Sequence, residues 1–87
     1  MTAARLQLYT RAGCHLCDEM LAAARPILDR HGAAVEKIDI DADAALRRRY
    51  GLAIPVLALD GREICRHRLD AAALERALAR PAAEAGR

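Results

Sequence analysis

The chain has 87 residues, 54% of them hydrophobic and 30% charged, a balance that fits a globular fold and excludes a disordered or collagen-like chain. At this length it makes one domain, expected over residues 1–80, and folding hides only about 60–65% of its surface, so the core is small. Fourteen basic against twelve acidic residues leave a formal net charge of +2, with Tyr9 and Tyr50 as the sole aromatics, which is poor material for a polyanionic partner or for stacking nucleic-acid bases.

Met1 to Arg5 leads almost directly into a strand pattern, with no apolar leader or cleavage site, so a cytoplasmic location is expected. Leu6 to Tyr9 alternates at the period of a strand, and Thr10 to Gly13 reads as a loop. From His15 to His31 the apolar residues Leu16, Met20, Leu21, Ala24, Ile27 and Leu28 recur at helical spacing, and Gly32 supplies the stop. Pro26 lies inside that pattern, where a missing backbone donor predicts a kink or an end near Arg25. His31 falls at the helix end, where a cation suits the dipole.

Val35 to Ile40 alternates as a second strand. Asp41 and Asp43 are both candidate caps for a short helix, Ala44 to Tyr50, which Gly51 closes; its Arg47-Arg48-Arg49 run reads as a solvated face or an anion-docking patch. Tyr50 to Leu59 is the longest stretch without charge, half of the ~20 residues a membrane helix needs. Within it Ile54 to Leu59 reads as a strand, Asp60-Gly61 as a hairpin turn and Arg62 to Arg66 as the last strand. Asp70 caps a final helix, Ala71 to Arg80, and the tail from Pro81 to Arg87 is expected to fray. The order β-α-β-α-β-β-α predicts an α/β fold, a mixed four-stranded sheet flanked by three helices on its two faces.

Three cysteines in a chain without an export signal point to redox or metal chemistry rather than a disulfide framework. Cys14-His15-Leu16-Cys17 sits where the first loop enters the first helix, a spacing that places both sulfurs on one side within disulfide reach. One thiol attacks and the other resolves. A free thiol with pKa ~8.5 is mostly protonated near neutrality, and lowering it by about two units takes ~2.7 kcal/mol. The helix dipole supplies roughly 0.3–2 kcal/mol of that. Amide hydrogen bonds and a cation are expected to add the rest, with Arg11 and a protonated His15 as candidates. Ile54-Pro55 opens a strand where a cis bond is affordable, and a cis Pro55 would present the Ile54 backbone as an edge for a substrate.

Leu8 to Cys17, Ala53-Ile54-Pro55 and Leu59 to Ile64 together resemble the glutaredoxin branch of the thioredoxin fold, over about residues 5 to 80. Gly13 and Leu8 stand where thioredoxins proper carry Trp and a buried Asp. The resemblance implies that Cys14 is the nucleophile, Cys17 the resolving thiol, Arg11 the basic residue preceding the dithiol, and Pro55 the cis-proline. Glutaredoxins usually keep two glycines where this chain has Cys65 and Arg66, so side chains occupy the approach of glutathione, which is expected to serve poorly as reductant.

The leading reading is a monomeric thiol-disulfide oxidoreductase acting on protein or small-molecule disulfides, with no bound cofactor. A metal-binding or redox-sensing module is the alternative. Against a metal, zinc asks for about four ligands, no second paired motif exists, and Asp18 rather than His follows Cys17, which fails the haem-attachment pattern. Cys65 reads as a small strand residue or as a third redox partner.

Overall fold

The computed structural model describes residues 4–79. Strand β1 (Arg5–Thr10) leads into α1 (His15–His31), β2 (Ala34–Asp39), a turn of 3-10 helix (Ile40–Ala42), α2 (Ala44–Tyr50), β3 (Val56–Leu59), β4 (Arg62–Arg66) and α3 (Ala71–Ala79). The sheet order is β2-β1-β3-β4, with β1 and β2 parallel and the other pairs antiparallel. The expected element order and mixed sheet are therefore present. Several boundaries move: β1 takes in Arg5 and, from the expected loop, Thr10; β2 gains Ala34 and yields Ile40 to the 3-10 turn; and β3 starts at Val56, because Ile54 and Pro55 belong to the approach. The expected helix end at Arg80 and the tail lie outside the described residues.

Alternation along β1 buries Leu6, Leu8 and Thr10 on one face. That face carries the larger core, in which Leu6, Leu8 and Leu57 meet Met20, Ala24, Ile27 and Leu28 of α1 and Leu74 of α3. The opposite face carries a smaller core of Ile40, Tyr50, Ala53 and Val56, with Tyr9 and Leu46 against it. Tyr9 and Tyr50 stack with ring centroids 4.4 Å apart, so α2 is fastened to β1 by an aromatic pair. Burial pushes the Tyr9 phenol up, with the Tyr50 ring adding to it, which keeps it neutral.

Helix α1 runs through Pro26 to His31 without ending at Arg25. Pro26 and Ala22, whose carbonyl loses its amide donor, are both exposed, so the freed carbonyl is open to solvent and not stranded in the core. The helix ends where Gly32 turns left-handed (φ +62°) and Ala33 N–H returns to the Leu28 carbonyl at 2.9 Å, the six-to-one bond of a Schellman stop. Arg30 and His31 then reach across to Glu75 at 2.6 and 2.8 Å, joining α1 to α3. Asp60 (φ +52°) and Gly61 (φ +80°) form the β3–β4 turn, the paired positive φ values of a two-residue hairpin. The β3–β4 ladder slips once: Leu57 pairs with Cys65 and Ala58 with Glu63, leaving Ile64 without a partner.

Candidate functional site

Strand register gathers the motifs at one end of the sheet. Thr10 pairs with Asp39, Tyr9 with Val56 and Val56 with Arg66. The loop 11–14, the turn after β2, the Ile54-Pro55 step and the residues after β4 therefore all leave the sheet at that same end.

Cys14 is the N-cap of α1. Its extended backbone lets the Sγ accept the Cys17 N–H at 3.1 Å, one of the amides that a helix start leaves unpaired. Its own N–H returns to the Arg11 carbonyl at 3.2 Å, closing the loop through Gly13 at φ +78°. Cys14 and Cys17 are joined in a disulfide with their Cα atoms 5.3 Å apart. Cys14 is half-buried, whereas Cys17 is 1% exposed. His15 and Leu16 between them point to solvent, Leu16 at 47% exposure. The buried stripe of α1 thus begins at Cys17 and continues through Met20, Ala24, Ile27 and Leu28, which puts Leu16 off the apolar face where periodicity had placed it.

Arg11 does not stand free beside Cys14. Its guanidinium forks the Asp41 carboxylate at 2.9 and 3.0 Å, and this hydrogen-bonded pairing holds Asp41 below the usual carboxylate range. Asp41 is fixed in turn: the Asp39 side chain accepts its N–H at 2.9 Å, and Arg47 donates to its carbonyl at 2.8 Å. Asp41 therefore anchors the loop rather than capping α2, a role that Asp43 takes by accepting from Ala45 and Leu46 N–H. An open cleft of about 270 Å³ adjoins this arrangement, lined by Thr10, Arg11, Cys14, Asp18, Lys37 and Asp39 among others.

The Ile54–Pro55 bond is cis, and Pro55 is buried. Its carbonyl accepts the His67 N–H at 2.8 Å, while Ala53 and Ile54 N–H both return to the Tyr50 carbonyl at 2.8 and 3.1 Å. The end of α2 and the turn after β4 are thereby tied to the same step. Cys65 is half-buried, packed against the larger core, and burial pushes its thiol up. Arg66 lies on the opposite face, forked by Glu63 at 2.6 Å from both nitrogens. The left-handed backbone in this stretch falls at His67 (φ +67°), spanned by an Arg68 N–H to Arg66 carbonyl bond of 2.7 Å. Residue-by-residue matching had put the glycine-like places at Cys65 and Arg66, both of which are strand. Among the described residues no group of three or more His, Cys, Asp or Glu side chains could hold a metal ion, and no helix is long and apolar enough to cross a membrane.

The model of the Glutaredoxin-like domain (DUF836) family matches residues 5–79. The chain belongs to this family. The glutaredoxin-like chain is similar to protein Ne2328 from Nitrosomonas europaea, with a TM-score of 0.81 and 34% identity over 91% of this chain and 95% of that one. Protein XcR50 from X. campestris is 44% identical at a TM-score of 0.64, covering 87% and 99% of the two chains. A thioredoxin mutant from Halobacterium salinarum is 27% identical at 0.56, covering 88% and 73%. The uncharacterized protein Rv0508 of Mycobacterium tuberculosis is 34% identical over 72% of this chain and 70% of its own length. The fold is thioredoxin-like, and Cys14 and Cys17 are its C-x-x-C pair.

Proposed function

We propose that this glutaredoxin-like domain is a thiol-disulfide oxidoreductase working through Cys14 and Cys17. The observation that carries the reading is the unequal burial of the bonded pair, with the outer sulfur on the helix N-terminus and the inner one enclosed. In the reduced protein, the Cys14 thiolate attacks one sulfur of a substrate disulfide, forming a mixed disulfide and releasing the first substrate thiol. Cys17 then gives up its proton and attacks the Cys14 sulfur, which releases the second substrate thiol and leaves the protein's own disulfide. The substrate has gained two electrons and two protons, and an external thiol reductant returns them to the protein. The Cys17 N–H directed at the Cys14 Sγ supports this order, since that amide favours sulfur as thiolate.

The Ile54-Pro55 step, at the same end of the sheet, is the edge on which the mixed disulfide would rest. Arg11 acts there through the loop that it anchors to Asp41. Turnover of a small neutral disulfide, with glutathione or a thioredoxin-reductase system as electron source, tests the reading. Cys14→Ser is expected to fall to background, and Cys17→Ser to accumulate a mixed disulfide visible by mass spectrometry. Reduction by Cys14→Ser at the parental rate would overturn it. Poor support of turnover by glutathione is expected, because the left-handed position after β4, bonded to the Pro55 step, is His67 and carries a side chain where a glycine would leave the approach open.

A further inference from the structure

Among the described residues two large apolar side chains stand exposed, Leu16 at 47% and Leu52 at 99%. One exposed leucine is ordinary on a protein surface. These two, however, both belong to the dithiol end of the sheet: Leu16 lies between the cysteines, and Leu52 lies two residues before Ile54. Leu52 is presented by the tight 51–55 segment, whose amides fold back onto the Tyr50 carbonyl.

Charge at this end is divided. The basic run Arg47-Arg48-Arg49 closes α2, and Arg66-His67-Arg68 spans the end of β4 and the turn after it; both converge on Pro55 through the bonds from Ile54 N–H to Tyr50 and from His67 N–H to Pro55. Some of these cations are occupied: Arg47 by the Asp41 carbonyl, Arg49 over the Tyr50 ring at 5.1 Å, and Arg66 by Glu63. Arg48 and Arg68 are exposed and form no ion pair among the described residues. The cleft on the β2 side is balanced instead, lined by the carboxylates Asp18 and Asp39 and by the cations Arg11 and Lys37. The β3–β4 side of the dithiol end thus presents an exposed leucine together with two cations that form no ion pair among the described residues.

We propose that the substrate is a protein disulfide whose cysteine lies in an extended segment, with an apolar residue beside it and carboxylates flanking it. That segment rests on Leu16 and Leu52 and is held at its flanks by Arg48 and Arg68. The proposal builds on the oxidoreductase reading and names its substrate class. Oxidised glutathione carries carboxylates but no apolar side chain, so it would leave both leucines bare.

The test follows mixed-disulfide formation in full-length Cys17→Ser protein with a set of peptide disulfides. One peptide carries Leu beside the cysteine and two flanking Glu; its twins replace the Glu pair by Lys, or the Leu by Ser. The Glu peptide is expected to react about tenfold faster than its Lys twin at low salt, with the ratio shrinking as salt is added. In Arg48→Glu/Arg68→Glu that ratio is expected to fall to one or invert, and Leu52→Ser is expected to reduce the Leu-over-Ser ratio by about threefold to tenfold. Equal rates for the Glu and Lys peptides, or oxidised glutathione reacting faster than the Glu peptide, would overturn the proposal. A small neutral disulfide run beside them separates the two levels. Its failure to react overturns the oxidoreductase reading, whereas its reaction without any peptide preference overturns only the docking surface.

Discussion

Cys14, Cys17 and Cys65 differ in what surrounds them: a helix N-terminus open to water, the inside of that helix, and the larger core beneath α3. Burial raises the Cys65 thiol above its ordinary value, and this has two measurable results. In the oxidised protein Cys65 is the free cysteine, so iodoacetamide uptake near pH 8 reads it alone and is expected to be slower than that of a small thiol. The folded state holds the Cys65 proton at pH values where the unfolded chain has released it. Stability is therefore fullest below the ordinary thiol range and declines as pH rises from about 8.5 toward the raised value. Denaturant midpoints measured across that range should decline less in Cys65→Ala than in the parent. At this scale the sequence disclosed the C-x-x-C pair, because four consecutive residues at a helix start settle their own geometry. It did not disclose that Arg11 is held by Asp41, a partner 30 residues away, or that Leu16 falls off the buried stripe. The exposed Leu52 and the left-handed His67 carried no local signal beyond the breaks in strand pattern around them.

Helices α1 and α2 are delimited by a chemistry visible in the chain, and the caps account for most of the agreement between pattern and fold. Gly32 and Asp43 act as read; Pro26 does not, because the rule that proline breaks helices assumes that the orphaned carbonyl has no other partner. Asp41 and Asp43 were equal candidates from sequence, and only the folded chain separates them: Asp41 faces Arg11 from the 3-10 turn, and Asp43 takes the cap. Asp43→Ala removes two acceptor contacts from the start of α2 and is expected to cost about 0.5–2 kcal/mol, measured by urea unfolding. Since α2 holds Tyr50 against Tyr9, near-ultraviolet circular dichroism from the tyrosines should weaken in the same variant. Retention of both stability and that signal would show that the aromatic stack, rather than the cap, secures the helix.

At the scale of the molecule, the described residues form two cores of unequal size separated by one sheet. The larger is closed by α3, whose hold rests on the fully buried Leu74 and on the Glu75 bridge to α1. Leu74→Ala is expected to cost about 2–5 kcal/mol, a large share of the roughly 4–13 kcal/mol that a chain of this length commands. Calorimetry or a urea midpoint would check this, and a loss under 1 kcal/mol would mean that α3 contributes little to closing the core. The layered α/β plan was legible because strand and helix periods differ so clearly along the chain. What periodicity does not count is a surplus residue.

Ile64 is that surplus. Side chains on a strand alternate sides, so an unbroken ladder would pair Leu57 with Ile64 and Val56 with Cys65, turning the thiol toward α2 and the next guanidinium toward Leu8 and Leu57. With Ile64 unpaired, the phase changes. Glu63 and Arg66, three apart, come to share a side and bind one another, and Cys65 is shut against the apolar side. The third thiol is thus assigned to the larger core by parity, the odd residue between the hairpin and the dithiol end, and closing that bulge would turn it to the α2 side without altering a single sulfur.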